Sequence, residues 1–517
     1  MKHATSSILF SFGLTALPLQ DAMALTRSCP EGFNDEPVVP LHIEQAAINS
    51  GALSFYKIRD HGERLFRAKF NYCDGAGRPQ ATGGGDKRAA PTIAATGEVL
   101  DAGQAAKLRT SAPDSDSCAG CHNDPEAGGA GDFVANVFVL AQTLDPPVLS
   151  VHPDTSNSRN TLGMHGAGPI EMLAREMTAD LQSQLAGLPD GVHTLTTKGV
   201  DFEIEIAGGR VVAAEGIDHD LVVRPFHQAG KVVSLREFSN NAMNHHHGMQ
   251  AEERFDLNPA KGLDPDFDGD GLQRELTIGD QTALAIWQAQ LSTPVQVMPE
   301  GWQERRMVRR GEHLFDQVGC TSCHIPEMVL ERREFVEPNP YNPQGSCASA
   351  ADGCPEYAFD MTRQGDYPRL ERAANGTAIV RAYTDLKRHN LCDDQIRWYC
   401  NERLAQGRPE QDGEPGAHFF LTRKLWDVGS SAPYGHRGDV STIWEAIDYH
   451  GGEARASRDD FMALPDARQQ AIVKFLKTLQ VVPQEGLLKG GRFAEADQGA
   501  PRSGADSRFG TGRSSNR

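Results

Sequence analysis

The pentapeptide CxxCH occurs twice, as "CAGCH" (Cys118–His122) and as "CTSCH" (Cys320–His324). Two thiols at this spacing reach the two vinyl groups of one porphyrin, and the adjacent histidine is then held beneath the iron. This is the attachment signature of c-type haem. The rival readings are a thioredoxin-type dithiol, which needs no following histidine, and half a zinc site, which needs more cysteines close by. Two complete copies imply two covalently attached haems. Cys118 and Cys121 hold one, with His122 on its iron, and Cys320, Cys323 and His324 hold the other. What occupies the sixth position of each iron separates an electron carrier from a site that takes peroxide or dioxygen.

The 517-residue chain carries a formal charge of −19. Such a field repels phosphate, so no nucleic-acid partner is expected, and basic or neutral partners are favoured. The start reads as an export signal over residues 1–24. Lys2 and His3 are basic, Ile8–Leu19 is mostly apolar, and "AMA" (Ala22–Ala24) offers small residues for cleavage before Leu25. The competing reading is a buried N-terminal helix. The run is too short to span a bilayer and no other segment is suited to it, so a periplasmic protein without a transmembrane segment is expected. In an oxidising compartment the six remaining cysteines tend to pair. Proximity suggests Cys29–Cys73, Cys347–Cys354 and Cys392–Cys400, among the fifteen or so pairings that six cysteines allow.

A weaker repeat precedes each motif. "HGERLFRAKF" (His61–Phe70) and "RRGEHLFDQVG" (Arg309–Gly319) share Gly-Glu followed by Leu-Phe. In the later copy Met307, Gly311, Leu314, Phe315 and Val318 fall on one helical face. The repetition suggests two related domains. In the earlier copy a polar, glycine-rich insertion (Cys73–Asp116) separates helix from motif, and loops of that length are usually functional or mobile. Ile170–Leu185 reads as a helix, and Val200–Gly216, alternating around Gly208 and Gly209, as a β-hairpin. Glu337–Pro355 reads as irregular. Asp466–Gln480 reads as a helix with Ala471, Ile472, Phe475, Leu476 and Leu479 on one face. From about Phe493 there is little to bury, which predicts a disordered tail.

Candidates for the sixth iron positions are Met164 and His165 in "LGMHGAG", Met243, His245, His246, His247 and Met249 in "NNAMNHHHGMQ", and His436 and His450 in "APYGHRGDVSTIWEAIDYH". For each of them a surface or hydrogen-bonded role is the competing reading. The stretches "GEHLFDQVGCTSCHIPEM", "AYTDLKRHNLCDD", "FLTRKLWDVGSSAPYGHRGDVSTIWEAIDYHGGEA" and "IVKFLKTLQ" follow one another from about Gly311 to Gln480. In them the chain resembles the bacterial di-haem cytochrome c peroxidase superfamily, in particular its di-haem oxidoreductase branch, and more distantly rubber oxygenase and MauG-like enzymes. The first half resembles it more loosely, through "LF", "SCAGCHNDPEAGG" and "SLREF".

The resemblance implies that the C-terminal haem takes its sixth ligand fourteen residues beyond the histidine of APY-x-H, which here is His450. Peroxidases of the superfamily carry Met there, MauG-like enzymes Tyr and rubber oxygenases His. Two imidazoles favour a low-spin iron of lower potential, suited to storing and relaying electrons. The N-terminal haem, with His122 proximal, is then the reactive one. Its distal side is implied to come from "PFHQAGKVVSLREF" (Pro225–Phe238), where Glu237 or His227 is the candidate acid/base. The family's distal glutamine and its aromatic-Trp-Asp-Gly run are not evident. No tryptophan lies between Val200 and Asn240 to serve as the family's inter-haem relay. One of His245–His247 is a candidate cap on the N-terminal iron, a substrate contact or a propionate contact, against a polar loop at the haem edge. A histidine ligand there requires displacement on reduction before turnover.

"DPDFDGDGLQRE" fits the calcium-loop spacing D-x-D-x-D-G-x5-E, with Asp264, Asp266, Asp268, Gly269, Asp270 and Glu275 in the ligand stretch. Gly271 stands where an aliphatic residue is usual, which favours a free-standing Ca²⁺ loop over a paired EF-hand. A solvated acidic turn is the alternative.

The expected fold is mainly α, with two cytochrome c-like domains (residues 25–295 and 296–485), irregular insertions, a small hairpin and a disordered tail over 486–517. The expected function is reduction of hydrogen peroxide with electrons from a small donor protein, a cytochrome c or cupredoxin, entering at the C-terminal haem. The alternatives are a dioxygenase resembling rubber oxygenase and a non-catalytic electron-transfer cytochrome.

Overall fold

Two close helix crossings, one ahead of each CxxCH, set the frame in which both motifs sit. The computed structural model describes residues 24–30, 34–77, 115–136, 158–255, 266, 270–400 and 418–483. The main helices are α1 (Phe55–Arg67), α2 (Ala167–Leu185), α3 (Leu235–Ala242), α4 (Ile278–Ala289), α5 (Trp302–Gln317) and α6 (Asp466–Leu476). Each start has a local cause. Ser54 caps α1 by accepting from the Lys57 amide, and Ser234 caps α3 through the Glu237 amide. Thr277 and Asp280 form a capping box on α4. Pro169 sits in the first turn of α2, where its missing N–H costs no helical bond.

α1 packs on α4 and α5 on α6. The crossings are close because a glycine lies at each. A Cβ on Gly62 would collide with the Ala283 carbonyl, and one on Gly311 with the Ala471 carbonyl. These are the glycines of the repeated Gly-Glu-x-Leu-Phe, so the weak sequence repeat marks one packing device used twice. On α5 the buried face is Val308, Gly311, Leu314 and Phe315. Met307, expected on that face, is 38% exposed because the stripe runs through the residue one position later. On α6 and just beyond it Ala471, Ile472, Phe475, Leu476 and Leu479 are all buried, as expected. The helix stops at Leu476, and Leu479–Gln480 instead pairs as a short strand with Val295–Gln296.

A three-stranded antiparallel sheet joins β1 (Gly191–Thr197), β2 (Val200–Ala207) and β3 (Arg210–Ala214). β2 and β3 make the expected hairpin. Its turn holds Gly208 at φ 60° and Gly209 at φ 72°, a conformation that glycine enters without strain. The Asp190 carboxylate accepts both their amides, at 2.8 and 3.0 Å. β1 was not foreseen, because "GVHTLTT" has few apolar residues to alternate. Six further small sheets of two or three strands lie elsewhere in the described residues. The expectation of a mainly α protein is therefore corrected to a mixed helix-and-strand fold. The short strands lie in connections whose sequences lack a sustained period.

The largest core cluster crosses the expected boundary at residues 295 and 296. It unites Ile170, Leu173, Phe202 and Ile286 with Phe335, Phe359, Leu386 and Trp426. The segment between about residues 325 and 386 thus packs into the first half. The three disulfides are Cys29–Cys73, Cys347–Cys354 and Cys392–Cys400. The expected signal sequence, most of the glycine-rich insertion and the expected disordered tail lie outside the described residues. Among the described residues no helix is long and apolar enough to cross a membrane.

Candidate functional site

A single cavity of about 780 Å³ takes in both CxxCH motifs. The two motifs are presented in the same way. Each opens a short helical turn in which the histidine amide donates back to the first cysteine's carbonyl, at 2.9 Å for His122 and 3.0 Å for His324. The His122 Nδ1–H donates to the Leu162 carbonyl at 3.1 Å, and the His324 Nδ1–H to the Tyr383 carbonyl at 3.0 Å. This fixes the tautomer and leaves Nε2 as the ligating atom. The phenylalanine of each repeat packs beside its histidine, Phe66 at 6.1 Å from His122 and Phe315 at 6.2 Å from His324 between ring centroids. Burial pushes both imidazoles down to about 4, so each ring is neutral and has a lone pair to give.

The cysteines fit the same chemistry. Six of the ten form the three disulfides, and the four motif cysteines stand outside any disulfide. Burial, with the neighbouring cysteine adding, pushes the Cys118 and Cys320 thiols up to about 12. Thiols held protonated do not suit a redox dithiol, which works through a depressed thiolate. Paired thiols, tethered neutral imidazoles and a large apolar-lined cavity fit two covalently held haems.

The sixth positions differ between the two sites. His450 lines the cavity, is held through Nδ1 to the Ala446 carbonyl at 2.7 Å, and lies near enough to His324 to help lower it. His436 stands beside it but is packed as an aromatic wall. It stacks on Phe420 at 3.9 Å and 18° and meets Tyr399 edge-on at 4.8 Å. His389 also borders this site. Burial alone would lower it, but Asp385, Cys323 and Glu453 hold it up at about 12, and its two ring nitrogens lie 2.8 Å from Asp385 and 2.6 Å from Glu453.

At the first site α3 runs into a π-helical turn, Met243–His247, that sets the three histidines apart. The wider turn points successive side chains differently, and such turns recur at functional sites. His247 lies against the attachment cysteine, with Nε2 3.4 Å from Cys118 Sγ and Nδ1 donating to the Ser115 carbonyl at 2.6 Å. His246 lines the cavity and bears electrostatically on both His122 and His227. His245 is also in the wall. His227 lines the cavity at a left-handed φ of 67°, and burial, with Arg159 and His246 adding, lowers it to about 4.

The structure does not bring Glu237 to the cavity. Its carboxylate accepts the Val233 amide at 2.7 Å, and its own amide donates to Ser234 Oγ at 3.0 Å. It serves the first turn of α3, so of the two expected acid/base candidates only His227 faces the site. Met164 and Met243 line the cavity, whereas Met249 lies in the core and His165 bonds Ser292 Oγ at 2.8 Å outside the wall. Sequence reasoning missed Gln228, Arg159 and Lys424, all in the wall. Gln228 and Lys424 lie in stretches already singled out, whereas Arg159 carries no local pattern.

The acidic loop is described only in part, since Asp264, Asp268 and Gly269 lie outside the described residues. Glu275 is fully buried, and its carboxylate accepts both the backbone amide and the side-chain amide of Gln250. Asp266 accepts the Gly271 amide at 3.3 Å and Asp270 the Leu272 amide at 2.7 Å. Among the described residues Asp266, Asp270 and Glu275 do not gather as a ligand group.

Residues 354–479 match the model of a family described as "Di-haem oxidoreductase, putative peroxidase". No curated protein matches the chain. Among solved structures, hydrazine synthase of Kuenenia stuttgartiensis is 12% identical, covering 92% of this chain and 100% of its own, with a TM-score of 0.32. The diheme peroxidase BthA from Burkholderia thailandensis is 14% identical, covering 88% and 94%, with a TM-score of 0.30. A MauG-like protein associated with microbial copper homeostasis is 16% identical, covering 60% and 88%, with a TM-score of 0.23.

Proposed function

We propose that this chain, which matches the di-haem oxidoreductase family over residues 354–479, is an exported enzyme that reduces hydrogen peroxide at the His122 site with electrons received at the His324 site. The observation that carries the reading is the inequality of two sites built alike. The buried imidazole of His450, tethered to the Ala446 carbonyl, lies near His324, while His246, which lies near His122, also lies near the buried His227. Bound haems supply the redox-active irons. The protein supplies the rest. His122 and His324 would hold the irons through Nε2, and His450 would complete the second site. His227, buried and neutral, is placed to take a proton from incoming peroxide at a ring nitrogen and return it to the leaving oxygen. His246 is the member of the histidine run placed to cap the first site at rest.

A small electron-donor protein, a cytochrome c or cupredoxin, fits as the partner of the second site. The periplasm fits as the compartment, given the leader-like start and the three disulfides. A calcium ion in the Asp264–Glu275 loop rests on carboxylate spacing and requires Glu275 to leave Gln250. Calcium titration followed by thermal stability tests it. A second reading, an oxygenase of the rubber oxygenase kind, is favoured by His450 and by the absence of Glu237 from the wall.

The two enzyme readings separate in one assay, peroxide consumption against oxygen uptake with an organic substrate. For the peroxidase reading, His227→Ala is expected to lower peroxide turnover about 100-fold or more, with both haems retained and the His324/His450 spectrum unchanged. Unaltered turnover would remove His227 from the mechanism.

A further inference from the structure

The two proximal histidines are joined by a path of hydrogen bonds linked by short stretches of backbone. From His122, the Nδ1–H donates to the Leu162 carbonyl at 3.1 Å. The next carbonyl along, that of Gly163, accepts from Lys424 Nζ at 2.8 Å. The amide after Lys424, that of Leu425, donates to the Ala382 carbonyl at 2.9 Å. The next carbonyl, that of Tyr383, accepts the His324 Nδ1–H at 3.0 Å. Four hydrogen bonds, three backbone steps and one lysine side chain lead from one ring to the other. At each end the path enters the carbonyl next to the one that holds the histidine.

Lys424 is the only side chain in the path apart from the two rings. It lines the cavity and comes from a different half of the molecule than the carbonyl it holds. A lysine in such a place is costly. Burial, with Arg423 adding and Asp427 opposing, lowers it to about 7. A methionine of similar length would fill the same space without that cost. The surrounding packing holds the path taut. Gly166 leaves no room for a Cβ against Trp426, and the Asp427 carboxylate closes on Gly163. The segment 162–166 therefore cannot shift without moving 424–427, which in turn holds the segment carrying Tyr383.

We propose that Lys424 is a positioning residue that couples the two haem sites through their proximal histidines, so that the redox state of the His324 site sets the potential of the His122 site. The proposal rests on the reading that both motifs carry haem with His122 and His324 proximal. The strength of a proximal Nδ1–H···O=C bond tunes the basicity of the ligating imidazole. A rearrangement of Tyr383 at one end is transmitted by Lys424 to Leu162 at the other.

The test is redox titration of the purified two-haem protein and of its Lys424→Met and Lys424→Arg variants, followed optically and by EPR, with haem content and thermal stability measured alongside. In the parent, reduction of the His324 site is expected to change the reduction equilibrium at the His122 site about tenfold, roughly 59 mV for one electron. Lys424→Met is expected to abolish that dependence while retaining both haems, and Lys424→Arg, which keeps a cationic donor, to restore it. A Met variant with both haems and an unchanged dependence would overturn the proposal and leave Lys424 as a stitch between the halves. Should the Met protein not fold, Lys424→Gln, too short to reach Gly163, is read in the same way. Fewer than two haems in the parent, or a first-site spectrum indifferent to His122→Gly, would instead overturn the reading beneath it.

Discussion

At the scale of the residue, most of the chemistry was legible where the chemistry itself dictates spacing. CxxCH must be local because one porphyrin fixes both thiols and the ligand, so Cys118, Cys121, His122, Cys320, Cys323 and His324 are assigned from spacing alone, and the structure brings all six to one cavity. His450 followed from the resemblance. Glu237 misled because a Ser-x-x-Glu sequence is also a helix start, and the helix claimed it. Two predictions belong here. Gly62→Ala and Gly311→Ala place a methyl against a backbone carbonyl at the helix crossings, and each is expected to cost about 1–3 kcal/mol in unfolding experiments. His165 is buried, bonded to Ser292, and lowered by burial to about 4. Its folded value lies below the ordinary one near 6.5. Above that pH the ring is neutral in both states and its contribution is intact. As pH falls toward 4 the unfolded state takes up the proton first, and stability is lost by up to about 1.4 kcal/mol per pH unit. Tm measured against pH should show a shallower acid slope in His165→Gln.

At the scale of the element, helices with a clear apolar period were found and short strands were not. α6 is found, though it ends four residues short of the expected Gln480, because Ala471, Ile472, Phe475 and Leu476 recur at helical spacing, and the β2–β3 hairpin because two glycines interrupt an alternating run. The small strands between residues 328 and 421 have no such run and, apart from the local pairing of Glu371–Arg372 with Ala378 and Ile379, pair with neighbours far away in sequence. α3 deserves its own prediction, since it carries the histidine turn. It is anchored by Arg236, fully buried, which bonds Glu253 at 2.8 Å and Glu337 at 2.6 Å. Desolvation opposes the guanidinium charge, but the two carboxylates hold its pKa above the ordinary value. Removing one member of a buried charge network strands the others. Arg236→Met is therefore expected to destabilise the fold by about 3–5 kcal/mol, read by denaturant unfolding.

At the scale of the whole molecule, the repeat predicted two related halves, and each CxxCH does have its own helix crossing. The core does not respect that division. Phe335, Phe359 and Trp426 join the first half's cluster, and Val295–Gln296 pairs with Leu479–Gln480. Such long-range packing leaves no local trace, which is why the shared cavity and the Lys424 link were beyond the reach of sequence patterns. That shared enclosure brings both CxxCH motifs to one cavity, the arrangement that the proposed relay between the two sites requires. The central claim is that the two irons are unequal, and EPR of the oxidised and half-reduced protein tests it most directly. The account predicts a low-spin, bis-imidazole signal from the His324/His450 site and a high-spin His122 site, present at rest or appearing on half-reduction as His246 is displaced. Two low-spin signals in the oxidised protein, with the ferric site that remains after half-reduction still low-spin, would contradict it and leave an electron carrier.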